Sequence, residues 1–406
     1  MPAPSWSPQQ RHVVVASYLG WTLDAFDFFL LVFVFKRIAA EFSTDLKSVT
    51  DAVFWTLAMR PVGAFLFGRL ADRRGRRPAL MISVLAYSIM EFASAFAPNL
   101  TVFLILRALF GVAMGGVWGV GASLAFESIP VQGRGLVSGM LQAGYPSGYL
   151  LAAVVYGALI DHIGWRGMFM VGVAPALLLL YIRGRVPESE VWRAGARTRV
   201  PLSLRAGLAG HWRLALYAVL LMTAFNFFSH GTQDLYPLFL EAQRGFDSST
   251  VARIAIVYNV GAICGGLCFG ALSSRIGRRR AMSLAAGLSL IALPFWAFSQ
   301  APVPLALAAF GMQFMVQGAW GVVPAHLNEL SPPALRATFP GFVYQLGNLI
   351  ASRNAPLQTG IAVRHGLPGH PDFAFAMSLV CGIVAICLLL LALAGPERRD
   401  VRFEGQ

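Results

Sequence analysis

Charged side chains are scarce in this chain. Only 13% of its 406 residues are Asp, Glu, Lys or Arg, about half the ~25% of an ordinary soluble domain. Acids are the scarcer sign: 19 Asp and Glu stand against 32 Lys and Arg, a formal net charge of +13. Disorder is excluded, because it needs low hydrophobicity, and a soluble enzyme of this length is excluded too. Cysteine is also rare. Cys264, Cys268, Cys381 and Cys387 all lie inside apolar runs, and Cys264 and Cys268 are one helical turn apart without Cys or His partners nearby. That argues against a disulfide framework or a metal site and leaves small core residues. No His-Glu-x-x-His, phosphate loop or nucleophile–base set is present. The chain is therefore not read as an enzyme, and no cofactor or metal is expected. Met1–His12 is polar and lacks a short apolar core with a cleavage site, so the first apolar run is expected to be retained.

What is abundant is apolar surface, 57% of the residues. Apolar runs fall at about 13–36, 52–70, 79–97, 100–126, 136–160 and 165–183, then at about 213–240, 251–272, 281–299, 303–328, 337–361 and 373–394. Twelve spans of ~20 residues each are enough to cross a bilayer repeatedly. The fold class expected is an all-α membrane protein of twelve helices. The arginines sit in short loops between the runs, so they point to membrane orientation and not to nucleic acid. Arg73, Arg74, Arg76 and Arg77, then Arg134, then Arg275, Arg278, Arg279 and Arg280, then Arg336, then Arg398, Arg399 and Arg402 all fall on one side if both termini are cytoplasmic. A polar stretch carrying Arg185, Arg193, Arg197, Arg199 and Arg205 divides the two sets of runs. The expected organisation is a bundle over 1–183, a cytoplasmic linker over 184–211, a second bundle over 212–394 and a cytoplasmic tail over 395–406.

The two sets repeat at a constant offset of 202: Gly68 with Gly270, Gly75-Arg76-Arg77 with Gly277-Arg278-Arg279, Trp118-Gly119 with Trp320-Gly321, Glu127 with Glu329, Arg134 with Arg336 and Gly139 with Gly341. A six-helix unit repeated in parallel resembles the major facilitator superfamily. The run Gly68-Arg69-Leu70-Ala71-Asp72-Arg73-Arg74-Gly75-Arg76-Arg77 resembles that superfamily's signature between helices 2 and 3, and its second copy lacks the Asp. A tight Gly turn, an Asp at a helix end and flanking arginines suit gating and topology. Gly68, Asp72, Arg73, Gly75, Arg76, Glu127, Arg134, Gly277, Arg278, Glu329 and Arg336 are assigned there.

Charges inside the runs carry the functional signal, since each costs at least ~2.5 kcal/mol at mid-membrane and has to face a cavity or a partner. Asp24 and Asp27 in the first run share one helical face, and two close carboxyls do not both ionise easily. Arg60 in the second run is the deep cation that can hold a carboxylate bidentately, or pair with Asp24 or Asp27. Glu91 and Arg107 lie in neighbouring runs at similar depth and suit an ion pair. Arg107 matches the superfamily's helix-4 arginine, which the resemblance associates with proton coupling. In the seventh run, Asn226, His230, Gln233 and Asp234 fall at i, i+4, i+7 and i+8, a polar stripe that lipid would not tolerate.

Asn226-x-x-Ser229-His230-x-x-Gln233-Asp234 resembles the helix-7 signature of the fungal lactate/pyruvate:proton symporters, with Leu238 where a terminal Thr or Ser is expected. Asp24-Ala25-Phe26-Asp27, Arg60-Pro61, Glu127-Ser128-Ile129-Pro130, Gly144-Tyr145-Pro146 and Pro187-Glu188-Ser189 resemble the bacterial sialate:proton symporters and their monocarboxylate-transporting relatives. The resemblance implies a proton-coupled symporter of a small monocarboxylate such as lactate or pyruvate, working by alternating access. Its partners would be a small organic anion, protons and the lipid bilayer, and it would be a multi-pass monomer in a bacterial inner membrane. Arg60, Asn226, His230, Gln233, Tyr145 and Tyr344 are expected at the substrate. Arg253 joins them because the related bacterial lactate transporters use a helix-8 arginine, with Arg353 as an alternative. Asp24, Asp27, Asp234, Arg107 and Glu91 are expected to handle protons. An aromatic-acid, dicarboxylate or sialate symporter, or a membrane sensor that does not transport, remain alternative readings.

Overall fold

The computed structural model describes residues 6–196, 210–368 and 370–403. The linker arginines Arg197, Arg199 and Arg205, and tail residues 404–406, lie outside the described residues. The chain is an all-helical bundle of twelve spans. Span 1 is Pro8–Glu41, span 2 Leu46–Arg74 and span 3 Arg76–Ser94. Span 4 is Leu100–Met114 continued by Val117–Ser128. Spans 5 and 6 share the helix Arg134–Val171, broken at Gly164 (φ 64°), and span 6 continues as Ala176–Arg185. A short helix, Glu190–Ala196, follows. Span 7 is Trp212–Gln233 and Tyr236–Ala242; span 8 is Ser248–Ile276 and span 9 is Arg278–Phe298. Span 10 is Pro302–Trp320 with Val323–Leu330, span 11 is Thr338–Ala351 with Asn354–His365, and span 12 is Phe373–Ala394.

Eight described stretches are long and apolar enough to cross a membrane by length and composition alone, one of them the two-span stretch Val131–Arg185. Spans 2, 3 and 11 fall short of that measure. Span 2 carries Asp51, Arg60, Arg69, Asp72, Arg73 and Arg74, and span 11 is interrupted at Ser352–Arg353. The apolar runs also hid interruptions in spans 4, 7 and 10, at Gly115–Gly116, Asp234–Leu235 and Gly321–Val322.

The 202-residue repeat is physical. A Cβ on Gly63 would meet the Val112 carbonyl oxygen at 1.8 Å, and one on Gly265 would meet the Phe314 carbonyl oxygen at 2.0 Å. Spans 2 and 4 therefore touch backbone to backbone, and spans 8 and 10 do the same at equivalent positions. Gly75 (φ 114°) and Gly277 (φ 99°) occupy the left-handed turns that join span 2 to span 3 and span 8 to span 9, conformations a Cβ disfavours. Gly63→Val should lower stability by about 1–3 kcal/mol through overpacking. A thermal shift in detergent measures it, and an unchanged midpoint would contradict the close approach.

The two halves meet most tightly at the arginine-rich end. Gly119 packs on Gly341, and Gly139 on Gly266. Asp72, at the end of span 2, accepts hydrogen bonds from the backbone amides of Ala337 (3.0 Å) and Thr338 (3.1 Å) and from the Thr338 hydroxyl (2.6 Å). A carboxylate thus caps the start of span 11 from the other half of the molecule, where the helix dipole favours it. Its repeat equivalent, Ser274, lies against Gly135 at the start of span 5.

Candidate functional site

A narrow polar cavity lies between the halves. Its wall holds Trp21, Phe28, Leu57, Arg60, Gln142 and Tyr145 from spans 1, 2 and 5, and Asn226, Ser229, His230, Gln233, Gln317, Trp320, Tyr344 and Asn348 from spans 7, 10 and 11. The free space at its centre is about 40 Å³, room for roughly three waters. The cavity opens away from the arginine-rich end: His230 and Asp234, towards the far end of span 7, have side chains 27% and 41% exposed, while that of Arg60 is 4% exposed.

The arginine-rich side of the cavity is floored by aromatic rings. Tyr344 lies 4.7 Å from Trp118, 5.5 Å from Trp320 and 6.4 Å from Trp21, centroid to centroid, and Trp21 stacks on Tyr145 at 5.7 Å. Trp118 and Trp320 are repeat equivalents, so each half places a tryptophan against Tyr344. Amides line the opposite wall. Gln233 donates to Gln313 Oε1 (2.8 Å), Gln313 donates to the Thr232 hydroxyl (3.0 Å), and Gln317 donates to the Ser229 hydroxyl (3.1 Å). His230 bridges Asp234 Oδ1 (3.2 Å) and Asn348 Oδ1 (3.0 Å). Asn226 is buried with its amide on the Met222 carbonyl (2.7 Å).

Arg60 joins this cavity to a second, drier compartment. Its guanidinium stands 3.7 Å from Asp24 Oδ2, 2.6 Å from Met114 Sδ and 5.3 Å from the centroid of Phe28. Behind it, Asp27 lies within electrostatic reach of Asp24, Glu91 and Arg107. Arg107 holds Glu91 at 2.7 Å and contacts the Ser94 hydroxyl at 2.5 Å, inside a cage of Phe103, Phe110 and Phe169 at 5.6, 4.4 and 5.0 Å. All five groups are buried. Both oxygens of Asp24, both of Asp27 and Oε1 of Glu91 have no hydrogen-bond partner among the described residues. Buried carboxylates left that way are costly as anions.

The predicted residues therefore sort by place. Arg60, Asn226, His230, Gln233, Tyr145 and Tyr344 share the cavity. Asp24, Asp27, Glu91 and Arg107 form one cluster behind it. Asp234 is separate from them, at the mouth with His230. Arg253 is not at the cavity: it is exposed in the second turn of span 8 and donates to Thr250 (2.9 Å). The reason is depth, since span 8 begins at Ser248 and residue 253 has not reached the midplane. Arg353 is exposed at the interruption of span 11. Arg253→Ala should leave transport within about twofold of the parent, as surface changes usually do; a loss beyond tenfold would return it to the site. The sequence reading missed Trp21, Trp118, Trp320, Gln313 and Gln317, because aromatics and amides at helical spacing look like packing.

The residues of the glycine- and arginine-rich signature also gather. Arg76 bonds Asp72 at 2.9 Å and Glu127 at 2.7 Å, and Glu188 accepts the Arg76 amide at 2.9 Å. Ser189 donates to Glu127. In the other half Arg278 holds Glu329 at 2.8 Å, and Glu397 accepts the Arg279 amide at 3.0 Å. Each arginine is buried against a glutamate of its own half, at equivalent positions of the repeat.

Two six-helix bundles around a central polar cavity, closed at one end by the packing of Gly119 on Gly341 and by Asp72 on the start of span 11, define a multi-pass membrane transporter. The family model described as Major Facilitator Superfamily matches residues 18–352 and 235–406, and the chain belongs to that superfamily. It is 28% identical over 414 residues to a "Carboxylic acid transporter protein homolog" of Saccharomyces cerevisiae, covering 94% of this chain and 67% of that one. It is 28% identical over 394 residues to the "Sialic acid transporter NanX" of Escherichia coli, covering 96% of this chain and 94% of that one. The solved structure of the proton:xylose symporter XylE superposes with a TM-score of 0.75 at 18% identity, covering 96% of each chain; that likeness shows the fold.

Proposed function

We propose that this protein is a proton-coupled symporter of a small organic acid, a monocarboxylate such as lactate or pyruvate, in a bacterial inner membrane with both termini cytoplasmic. The observation that carries the reading is Arg60, a buried cation shared between the cavity wall and Asp24 at 3.7 Å. The arginine-rich end is cytoplasmic by the positive-inside rule, so the cavity faces outward. The carboxylate binds Arg60, with Asn226, His230 and Gln233 bonding its remaining oxygens. The buried compartment holds three carboxyls, Asp24, Asp27 and Glu91, against two guanidiniums, Arg60 and Arg107. One proton balances that count. A second proton, on Asp24, releases Arg60 to the substrate. The halves 1–183 and 212–394 then rock about the cavity, with 184–211 as the connecting linker and 395–406 as the tail. One proton carried per monoanion moves no net charge, so ΔpH drives accumulation at ~1.4 kcal/mol per unit.

The names of the relatives, a carboxylic acid transporter homolog and a sialic acid transporter, support an organic acid. The narrow cavity, about 40 Å³ free, favours a small one. The ring floor around Tyr344 favours a second reading, a planar aromatic acid stacked on it. Uptake of labelled L-lactate into proteoliposomes, acid outside and without membrane potential, tests both. Accumulation that a protonophore collapses and pyruvate blocks supports the monocarboxylate. Proton-driven accumulation of labelled benzoate, with lactate not transported, supports the aromatic acid. No acid moved in either direction overturns both.

A further inference from the structure

Between span 12 and Phe403 the chain runs back over the bundle. Glu397 accepts the Arg279 amide at 3.0 Å, and Arg399 donates to the Arg275 carbonyl at 3.0 Å, so the segment is first fastened to spans 8 and 9. It then crosses to the other half. Arg134, at the start of span 5, donates to the Val401 carbonyl at 2.7 Å. Phe403 ends the crossing, 4% exposed, in an apolar cluster drawn mainly from spans 1–6 and joined by Ala325 and Ala337 of the second half. Two guanidiniums lie over its ring: Arg134 at 3.7 Å and Arg336, at the start of span 11, at 4.2 Å from the centroid.

Arg134 and Arg336 are repeat equivalents, one from each half, at the closed end. Like charges brought together repel, and an aromatic face between or beside them offsets that repulsion. When the halves part at this end the two arginines part with them, and one ring cannot serve both. We infer that the segment 396–403 is a strap that selects the state closed at the arginine-rich end, with Phe403 as its clasp. The strap sets how readily the inward-open state is reached. This inference rests on the rocking motion proposed above but not on the identity of the solute.

The test therefore uses distance and not transport. Arg74 and Arg280 are exposed at the same end, one in each half. Spin labels on Arg74→Cys and Arg280→Cys, with the four native cysteines replaced, report the separation of the halves in lipid nanodiscs. Phe403→Ala should raise the ratio of long to short separations roughly 5- to 30-fold, two cation–π contacts being lost. Phe403→Trp should keep the parental distribution. An unchanged distribution in Phe403→Ala, or an equal rise in both variants, overturns the strap. Failure of every acid in the uptake assay would overturn the substrate reading and leave this measurement intact.

Discussion

Arg60→Ala is expected to abolish carboxylate binding. The side chain is 4% exposed and is the guanidinium among the cavity-lining residues. Truncating one partner of a buried, hydrogen-bonded charge pair costs about 2–5 kcal/mol, roughly 30-fold to several thousand-fold in Kd. Two things are lost at once. The substrate loses its bidentate cation, and Asp24 loses the neighbour that holds its negative charge. Arg60→Lys separates them, because an ammonium keeps the charge and gives up the planar fork. The lysine variant should recover part of the pH dependence and little of the affinity. Binding of labelled lactate by scintillation proximity measures the first, and uptake at two pH values the second. Binding within threefold of the parent in Arg60→Ala would remove this residue from the substrate site.

Asp24→Asn should uncouple. The amide cannot take up a proton, yet it keeps the size and shape of the side chain beside Arg60. Exchange of internal for external substrate needs no net proton movement and should continue. Accumulation driven by an acid exterior should fall to the level reached with a protonophore, a loss of about 1.4 kcal/mol of driving force per pH unit imposed. Counterflow and pH-driven uptake in the same proteoliposome batch give the two numbers. Preserved accumulation would move the coupling elsewhere, and Asp27→Asn in the same assays would show whether it moved to Asp27.

Much of this arrangement could be read before any fold was in hand, for one physical reason. Lipid does not tolerate charge, so Asp24, Arg60, Glu91 and Arg107 within apolar runs had to turn inward and find each other. The 202-residue repeat, with its glycines and arginines, carried the bundle symmetry in the same way. What stayed hidden was depth and contact. Arg253 lies on the right helix and too near its end, because run boundaries drift by several residues. The interruption after Gln233 was invisible, since a bilayer-spanning helix accepts Gly, Pro and polar breaks wherever neighbours satisfy the freed backbone. The crossing from span 12 to span 5 left no periodic trace, because it depends on one phenylalanine in a polar tail.

The buried cluster behind Arg60 has no counterpart in the second half. At the repeat offset Asp24 becomes Asn226, Asp27 becomes Ser229, Arg60 becomes Ala262, Glu91 becomes Leu293 and Arg107 becomes Ala309. Every ionic member is replaced by an amide, a hydroxyl or a hydrocarbon. The buried ionic compartment thus lies in one bundle, while the other brings amides, hydroxyls and rings to the cavity, with the carboxylate of Asp234 beside His230 at its mouth. On the proposed mechanism the two bundles can be varied separately: changes at Gln317 and Ser229 reshape the solute's side of the cavity without touching Asp24, Asp27, Glu91 or Arg107.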